Sequence, residues 1–507
     1  MKLTLKDISW ILLGSSFWVF CVLFVIYGTK SLPSVDSYFH VQISEIMSQK
    51  GLVLKDFPWA VCSIWADSFF DKEWLFHVWL IPFISLFGKF AGAKIAVLAT
   101  VFAVATAWGI LLRQSGIRRH IFPAMCFMLF IAGCLFFERL TFCRSYLFAL
   151  IFLPMSLFFV LRGNRIGLMT VSYLYAISHT GSWQLLPVVL VFDIARRWKE
   201  KESFKITDFM SVWVLFGLIA GLILNPYFPA NIKGIFIQNV MVLKIRLFGF
   251  GNDVIEQGFE LYPMTLKRVM QGFIPVAFLT CYTIYDAVRK KKIFSMDWMT
   301  LSLLVLTAVY FMLTILCQRF IEYFAPISAV FILSYWGRGE NPLNSRLKKA
   351  CFVLLFVGIA MITVLKLREV LYFDQPKYAG AAEWIKRNTE PGEIVFTVDW
   401  DDSPMLFYGA PQQRYLVFLE PYFMYLHSPQ KYRIWKKISD GKMLYAPEEI
   451  FSTFHSKVIF VSARRPRLID KLDHDNHVKL RYAGPELERI YTIDPEGMNI
   501  QYPTPLR

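Results

Sequence analysis

The stretch SVDSYFHVQISEIM, Ser34 to Met47, follows directly after the first long apolar run of the chain. Asp36 and His40 stand four residues apart in it, so a helix along a membrane surface would place both on one face. A second stretch, WADSFFDKEWLFHVWLIPF, adds ionisable residues between aromatic ones: Asp67, Asp71, Lys72, Glu73 and His77. Aromatic residues hold a segment at the membrane interface, where ionisable groups are costly unless they are used. A solvated amphipathic loop is the ordinary alternative.

The composition indicates a membrane protein. Of 507 residues, 56% are hydrophobic and 17% aromatic, and apolar runs of about 20 residues recur along the chain. The first run, Ile8 to Tyr27, is too long for a signal peptide and has no small-residue cleavage site after it, which predicts a retained span. The net charge of +16 lies mostly in short basic clusters between apolar runs, a pattern typical of cytoplasmic loops rather than of nucleic-acid binding.

The predicted fold is a polytopic α-helical membrane protein with about 11 to 13 transmembrane helices and a C-terminal soluble α/β domain. Residues 1–370 form the membrane part, with outward loops 29–74 and 226–267, and residues 371–507 form the soluble part. The apolar runs predict helices near 8–28, 75–91, 94–112, 121–138, 144–161, 165–179, 183–195, 208–225, 268–288, 297–317, 322–337 and 350–367. Twelve full crossings would return the tail to the cytoplasm, so we expect a broken or re-entrant helix between 75 and 195.

The tail alternates between helix-like and strand-like segments. AGAAEWIKRN, PEEIFSTFH and RPRLIDKLD have helical patterns, while EIVFTVDW, RYLVFLEP, KVIFVSA and RIYTID have the pattern of strands. This alternation favours a sheet with parallel pairs, and the tail contains no nucleotide-binding glycine motif. Asp399, Asp401 and Asp402 follow the first strand, and the carboxyl ends of strands often carry sites. We favour the alternative of a solvated turn before Pro404.

Several motifs follow one another along the chain: DSYFH with DKEWLFHVWLIPF, ERLTFCRSYLF, SHTGSW, QRFIEYFAP and DWDDSPMLFYGAPQQRYLVFLEPYFMYL. In this order they resemble bacterial members of the GT-C superfamily of membrane glycosyltransferases. That superfamily includes archaeal oligosaccharyltransferases, protein O-mannosyltransferases and lipid A aminoarabinose transferases. The resemblance implies a sugar donor linked to a polyprenyl phosphate, a lipid, glycan or protein acceptor, contact with membrane lipids, and an essential acid in the first outward loop.

The resemblance and the chemistry of glycosyl transfer together suggest catalytic residues. A carboxylate must deprotonate the acceptor or orient it, and Asp36 is the candidate base. His40 is predicted to assist Asp36, with a structural histidine as the alternative, and Glu73 is a second catalytic candidate. No cofactor is certain. The candidate is a divalent cation, Mg²⁺ or Mn²⁺, held by Asp36 and Asp71, because such ions prefer oxygen ligands.

The departing phosphate needs positive charge, and the arginine fork fits phosphate oxygens. Four residues are predicted to bind the donor phosphate: Arg139, Arg144, His179 and Arg319. In the ordinary alternative, Arg139 pairs with Glu138 and Arg319 pairs with Glu322 as interfacial anchors, while His179 only packs.

The function predicted from these features is transfer of a sugar from a polyprenyl-phosphate-linked donor to an acceptor on the outer face of the bacterial cytoplasmic membrane. One alternative is a transporter or flippase of lipid-linked sugars, although the sequence shows no internal repeats of the kind common in transporters. Another is a membrane anchor or assembly subunit for envelope polysaccharide synthesis, but a bare anchor would need far fewer spans.

Overall fold

The computed structural model describes residues 3–117, 120–241, 244, 255–337, 346–373 and 377–496. The helices in the first part are α1 Leu5–Ile26, α2 Val35–Lys50, α3 Trp74–Gln114, α4 Ile121–Phe130, α5 Cys134–Leu140, α6 Tyr146–Arg162, α7 Arg165–Ala176, α8 Leu185–Glu200, α9 Met210–Ile223, α10 Ala230–Phe236, α11 Ile274–Arg289, α12 Trp298–Leu316, α13 Ile321–Tyr335 and α14 Arg346–Leu371. Single helical turns lie between them, including Phe259–Leu261 and Gln318–Phe320.

Within the described ranges, four helices are long and apolar enough to cross a membrane: Leu5–Ile26, Trp74–Gln114, Trp298–Leu316 and Ala350–Leu371. The bent pair of α4 and α5 would make a fifth if it counts as one span, and α6 and α9 are shorter apolar helices. The chain is therefore a helical membrane protein, as its composition predicts. The number of about 11 to 13 spans stays a prediction.

The break between α4 and α5 replaces the single helix predicted for 121–138. The two helices meet at a bend of 99°. Gly133 in the break has a φ of 52°, a left-handed conformation that favours glycine, and a Cβ there would lie 3.0 Å from the carbonyl oxygen of Gln271. The bent pair lies within 75–195, the part of the chain in which we expect a broken or re-entrant helix.

The helices predicted at 75–91 and 94–112 both lie in α3, which consists of two helices joined at a kink. The kink is at Gly88, where φ is 75°, slightly before the boundary expected after residue 91. The helix begins directly after Glu73 and packs against α1, α2 and α6. Its first turn therefore carries the end of the first outward loop onto the helix bundle.

The tail forms a mixed five-stranded sheet. The strands are β1 Ile394–Thr397, β2 Arg414–Tyr415, β3 Val458–Val461, β4 Val478–Ala483 and β5 Arg489–Ile493, in the order β2-β1-β3-β5-β4. The helices around it are α15 Ala379–Asn388, α16 Ser403–Gly409, α17 Pro421–His427, α18 Pro429–Ser439, α19 Ala446–Phe454 and α20 Pro466–Asp473. β1 runs parallel to β2 and β3, as expected, whereas β5 runs antiparallel to β3 and β4.

Two details of the sheet differ from the prediction. β4 has no counterpart among the strands read from the sequence, and the run RYLVFLEP supplies only the two residues of β2. The rest of that run is buried against the first outward loop, where the rings of Phe418 and Phe57 lie 5.6 Å apart. Tertiary packing has therefore overridden the strand pattern.

The first outward loop also joins the sheet through its backbone. Tyr415 donates from its N–H to the carbonyl of Trp59 (2.7 Å), and Val61 donates to the carbonyl of Tyr415 (2.9 Å). Cys62 continues the ladder with a bond of 2.8 Å to Leu416. Residues 59–62 thus lie parallel to β2 at the edge of the sheet, so the loop is held between the helix bundle and the tail.

Candidate active site

Asp36 lies in the first turn of α2, close to the turn that leads into α6. The N–H of Cys143 donates to Ser37 Oγ over 3.1 Å, which ties this turn to α2. Asp36 Oδ2 is consequently 2.7 Å from Arg144 Nη2. Burial raises the pKa of the Asp36 carboxyl, while the charge of Arg144 opposes that rise. The predicted base and one predicted phosphate ligand therefore form an ion pair.

Three arginines converge on one carboxylate, that of Glu260. Arg144 donates from Nη1 and Nη2 to its two oxygens, each over 3.1 Å. Arg139 Nη1 lies 2.5 Å from Glu260 Oε2, and Arg319 Nη1 lies 3.7 Å from Oε1. Glu260 belongs to the loop 226–267, and no motif in the sequence points to its role. Burial disfavours its charge, but the three guanidinium groups outweigh burial and hold its pKa well below the ordinary value.

The turn that carries Glu260 is fastened to the link between α12 and α13. Gln318 donates from its backbone N–H to the carbonyl of Tyr262 (3.1 Å) and from Nε2 to that of Pro263 (3.0 Å). Since Arg319 follows Gln318 directly, the same contacts bring Arg319 and Glu260 together.

The arginines do not pair with the acids that lie next to them in the sequence. Arg139 contacts Glu322, not Glu138, and Glu138 binds Arg268 at 2.6 Å instead. Glu322 is deeply buried, with a side chain only 1% exposed. The contacts described so far define one set of side chains from the ends of distant helices and loops. We name it the helix-end cluster: Asp36, Arg139, Arg144, Glu260, Arg319 and Glu322.

A second network lies beside the helix-end cluster and contains His40. Its Nδ1 is 2.8 Å from His77 Nε2 and 3.7 Å from Glu73 Oε2. His77 Nδ1 in turn lies 2.6 Å from Asp71 Oδ2. Burial holds the pKa of His40 well below its usual value, which favours the neutral imidazole at pH 7. His40 thus contacts His77 and Glu73, whereas we expected it to assist Asp36.

Among the residues that the structure describes, one group of side chains could hold a metal ion: His40, Glu73 and His77, with ligand atoms within 4.8 Å of one another. The predicted ligands, Asp36 and Asp71, are not members of this group. Asp36 is held by Arg144, and Asp71 binds His77 and accepts the backbone N–H of Glu73 (2.9 Å).

His179 joins this second network rather than the arginines. Ser145 Oγ donates to Glu73 and lies 3.0 Å from His179 Nδ1. The ring of His179 stacks on Tyr175, with centroids 6.3 Å apart. Burial lowers the pKa of His179 to about 3, so its neutral ring supplies no charge for a phosphate. Ser145 follows Arg144 in the chain and links the two networks.

Two further ionisable residues at the site were not among the predicted functional residues. Lys72 Nζ lies 3.8 Å from Glu420 Oε1, and Glu420 stands just before α17 in the tail. Burial raises the pKa of Glu420 to about 6, against the opposing charge of Lys72. The position of Lys72 between Asp71 and Glu73 was a usable signal, whereas Glu420 comes to the site only through the fold.

The three aspartates after β1 are not a solvated turn. Arg464 binds Asp401 with two hydrogen bonds of 2.7 Å, and Arg465 Nε donates to Asp399 over 2.9 Å. Asp402 is fully buried and accepts from Arg464 at 2.8 Å. β1 and β3 are parallel neighbours, so the segments after them meet at one edge. We name this set the sheet cluster: Asp399, Asp401, Asp402, Arg464 and Arg465.

No family model and no curated protein sequence matches this chain. Solved structures do match its fold. The archaeal oligosaccharyltransferase AglB from Archaeoglobus fulgidus, in complex with an inhibitory peptide and a dolichol-phosphate, has 13% identity and a TM-score of 0.66 over 98% of this chain and 76% of its own. Another structure of the Archaeoglobus fulgidus enzyme, in complex with Zn and sulfate, has 13% identity and a TM-score of 0.58 over 95% of this chain and 73% of its own.

A bacterial structure matches over nearly the whole of both chains. ArnT from Cupriavidus metallidurans, bound to undecaprenyl phosphate, has 13% identity and a TM-score of 0.56 over 96% of this chain and 98% of its own. At this identity the likeness establishes the fold, and the prediction of a GT-C fold is confirmed. The protein is a helical membrane protein with the fold of the GT-C glycosyltransferases.

Proposed function

We propose that the protein is a membrane glycosyltransferase that moves a sugar from a polyprenyl-phosphate-linked donor to a hydroxyl or amide acceptor. The observation that carries the proposal is the helix-end cluster, in which a carboxylate of the first outward loop meets arginines from distant segments. Structures of the same fold hold dolichol-phosphate or undecaprenyl phosphate, which is the chemistry that such arginines would bind.

Asp36 is the proposed general base. Its carboxylate would accept the acceptor proton as the new glycosidic bond forms, and its raised pKa brings its basicity nearer to neutral pH. Arg144 contacts Asp36 on one side and Glu260 on the other, and the proposed phosphate position lies on the side of Glu260. One guanidinium group would therefore hold the base and the leaving group next to each other.

Arg139, Arg144 and Arg319 are the proposed ligands of the donor phosphate. Negative charge accumulates on this phosphate as the bond to the sugar breaks, and preorganised guanidinium groups stabilise that charge. Arg319 is the most accessible of the three, with 31% of its side chain exposed. It would make the first contact with a lipid phosphate that approaches from outside.

The proposed cation site consists of His40, Glu73 and His77. Two imidazole nitrogens and one carboxylate oxygen suit Zn²⁺ better than the Mg²⁺ or Mn²⁺ that oxygen ligands favour. The carboxylate of Asp71 on His77 Nδ1 would fix the ring and its tautomer, as outer partners of zinc ligands do. A bound zinc ion would supply positive charge beside Glu73. Glu73 accepts a hydrogen bond from Ser145, the residue that follows Arg144 in the chain.

We propose a bacterial cytoplasmic membrane as the location, with residues 1–370 embedded and residues 371–507 outside. The basic clusters between apolar runs support this orientation. The two ends of α1 also differ: the ion pair of Asp7 and Arg113, 2.7 Å long, lies at its start, whereas Asp36 follows its other end. The loop 29–74 that carries Asp36 would then face away from the cytoplasm, against the sheet of the tail.

The decisive experiment compares Asp36→Asn with the wild-type protein in proteoliposomes. The substrates are polyprenyl-phosphate sugars and envelope acceptors extracted from source cells, and release of polyprenyl phosphate is measured together with the labelled product. Without its base, transfer should slow by about 10² to 10⁴-fold, while insertion and thermal stability stay unchanged.

Asp401→Asn is the matched control, since it removes an arginine-bound aspartate of the sheet cluster and should leave the transfer rate near that of wild type. A wild-type rate in Asp36→Asn would contradict the role of Asp36. Movement of labelled donor across the vesicle membrane without any glycosylated product would favour a transporter instead.

A further inference from the structure

The charge balance of the helix-end cluster leaves no surplus for a substrate phosphate. Its three guanidinium groups face three carboxylates, so the cluster is neutral. A donor phosphodiester adds one negative charge and a product phosphate adds about 1.5 to 2. A buried site of this kind does not accept an unpaired charge without a large cost. A phosphate can therefore bind well only when one of the carboxylates gives up its place.

We propose that Glu260 is a resident anion that occupies the phosphate position and is exchanged for the phosphate of the lipid carrier. The proposal rests on the function proposed above and adds a way of regulating the same site. In the structure, the Glu260 carboxylate makes the contacts that a phosphate would make: two hydrogen bonds from Arg144, one from Arg139, and an ion-pair contact with Arg319 at 3.7 Å.

Accessibility identifies Glu260 as the carboxylate that leaves. Its side chain is 23% exposed, compared with 1% for Glu322. Asp36 is also partly exposed, but it is the proposed base and is needed beside Arg144. Departure of Glu322 would strand its charge in the core, whereas Glu260 can turn toward water.

The exchange needs only rotation of a side chain. The backbone around Glu260 is held by Gln318 and by a hydrogen bond of 3.0 Å from Met264 to Ile315, and none of these contacts involves the carboxylate. Arg139 keeps Glu322 and Arg144 keeps Asp36, so these two arginines stay in place, while Arg319 loses its contact with Glu260 and becomes available to the phosphate. The cluster would then carry one net positive charge, matched to a phosphodiester.

The same exchange would help the product to leave. Polyprenyl phosphate carries more charge than the donor and would bind the arginines more tightly. The return of Glu260, tethered a few ångströms away at high effective concentration, competes with the product and limits this retention. Glu260 is thus a positioning residue that sets phosphate affinity without touching the sugar.

The test measures binding of labelled undecaprenyl phosphate to the purified full-length protein in nanodiscs. Glu260→Gln keeps the shape but removes the charge, and it should bind the lipid about tenfold or more tightly than wild type, since a charge-assisted competitor is lost. Glu260→Asp retracts the carboxylate by one methylene and should give a smaller gain. Melting temperatures confirm that each variant is folded, and the second variant preserves the test if the first is unstable.

Glu256→Gln is the control, because Glu256 lies in the same loop but contacts Lys436 of the tail. Its affinity should equal that of wild type. Unchanged or weaker binding in both Glu260 variants, with binding lost in Arg144→Gln, would overturn the exchange but leave the proposed function intact. If wild type and all variants bind undecaprenyl phosphate no better than undecaprenol, the arginines do not recognise phosphate, and both proposals fail.

Discussion

The helix-end cluster and the sheet cluster are built from the same two groups, carboxylates and guanidinium groups, yet they differ in charge and in origin. The sheet cluster has three aspartates to two arginines, with Asp440 and Glu256 lying 3.2 and 3.7 Å from Arg465 as well. The helix-end cluster is balanced and becomes positive when one accessible carboxylate leaves. An arginine that contacts a carboxylate is therefore not in itself an anion-binding site. A cluster can bind an anion only when its positive charges outnumber its negative charges.

Origin separates the clusters as clearly as charge. Arg464 and Arg465 are adjacent in one turn, and their partners follow a neighbouring parallel strand, so folding of the sheet alone brings them together. Arg139 and Arg144 lie close together at the end of α5 and in the turn after it, but Asp36, Glu260 and Arg319 come from distant segments that meet them only when the whole bundle has formed. The ion pairs of the sheet cluster are thus local, whereas the proposed lipid-phosphate site is assembled where several helices end.

The largest expected difference between the clusters follows from losing one arginine in each. Arg144→Gln should lower kcat/KM for transfer by about 10² to 10³-fold, because a donor that stabilises the developing charge is lost. Arg464→Gln should lower the melting temperature and leave transfer within about twofold, judged against wild-type variation in the same assay. Equal loss of activity in both variants would break the comparison.

Metal binding should next separate the histidine network beside the helix-end cluster from the sheet cluster. Purified protein should retain zinc through His40, Glu73 and His77, and Asp71→Asn should weaken zinc affinity by about 10 to 100-fold, because the ring of His77 loses its outer partner. Affinity is measured by competition with a chelator and elemental analysis. Asp399→Asn changes a carboxylate of the sheet cluster and should leave the zinc content unchanged; no zinc in wild type would contradict the site.

The last expected difference is a pH dependence of stability in the sheet cluster. Burial raises the pKa of Asp402 from 3.8 to about 7, against the charge of Arg464. Between these values the folded chain keeps a proton that the unfolded chain releases, so the free energy of unfolding falls by at most about 1.4 kcal/mol per pH unit as pH rises. Above pH 7 the dependence ends.

Asp402→Asn should remove this fall, so its melting temperature in detergent should gain on that of wild type from pH 4 to pH 7. Asp470→Asn, at a position with a 79% exposed side chain, should follow the wild-type curve. Parallel curves for Asp402→Asn and wild type would show that Asp402 does not titrate in this range.

Periodicity and hydropathy predict most of the fold. The long apolar runs became helices at nearly the expected positions, because a membrane requires every backbone group in a span to be satisfied locally. The errors lie where packing decides. The bend at Gly133 depends on the close approach of Gln271, and the run after Tyr415 leaves the sheet to cover Phe57.

The candidate site shows the same division. Asp36 and the three arginines were predicted from residue type, position and resemblance, and the structure brings all four together. Glu260 and Glu420 escaped prediction because each is more than 200 residues from Asp36 in the chain, and nothing in its local pattern points to its partners. Their roles arise from partners that only the folded chain supplies, as does the exchange of partners between Glu138 and Glu322.

The edge ladder between residues 59–62 and β2 gives the protein a modular boundary that does not follow the order of the chain. A tail taken from another protein and joined near residue 371 would have to pair its sheet edge with residues 59–62 and pack its aromatic side chains against Phe57, neither of which would match it. Recombination or engineering that replaces the tail must therefore move residues 29–74 together with it, because the two separated segments form one structural unit.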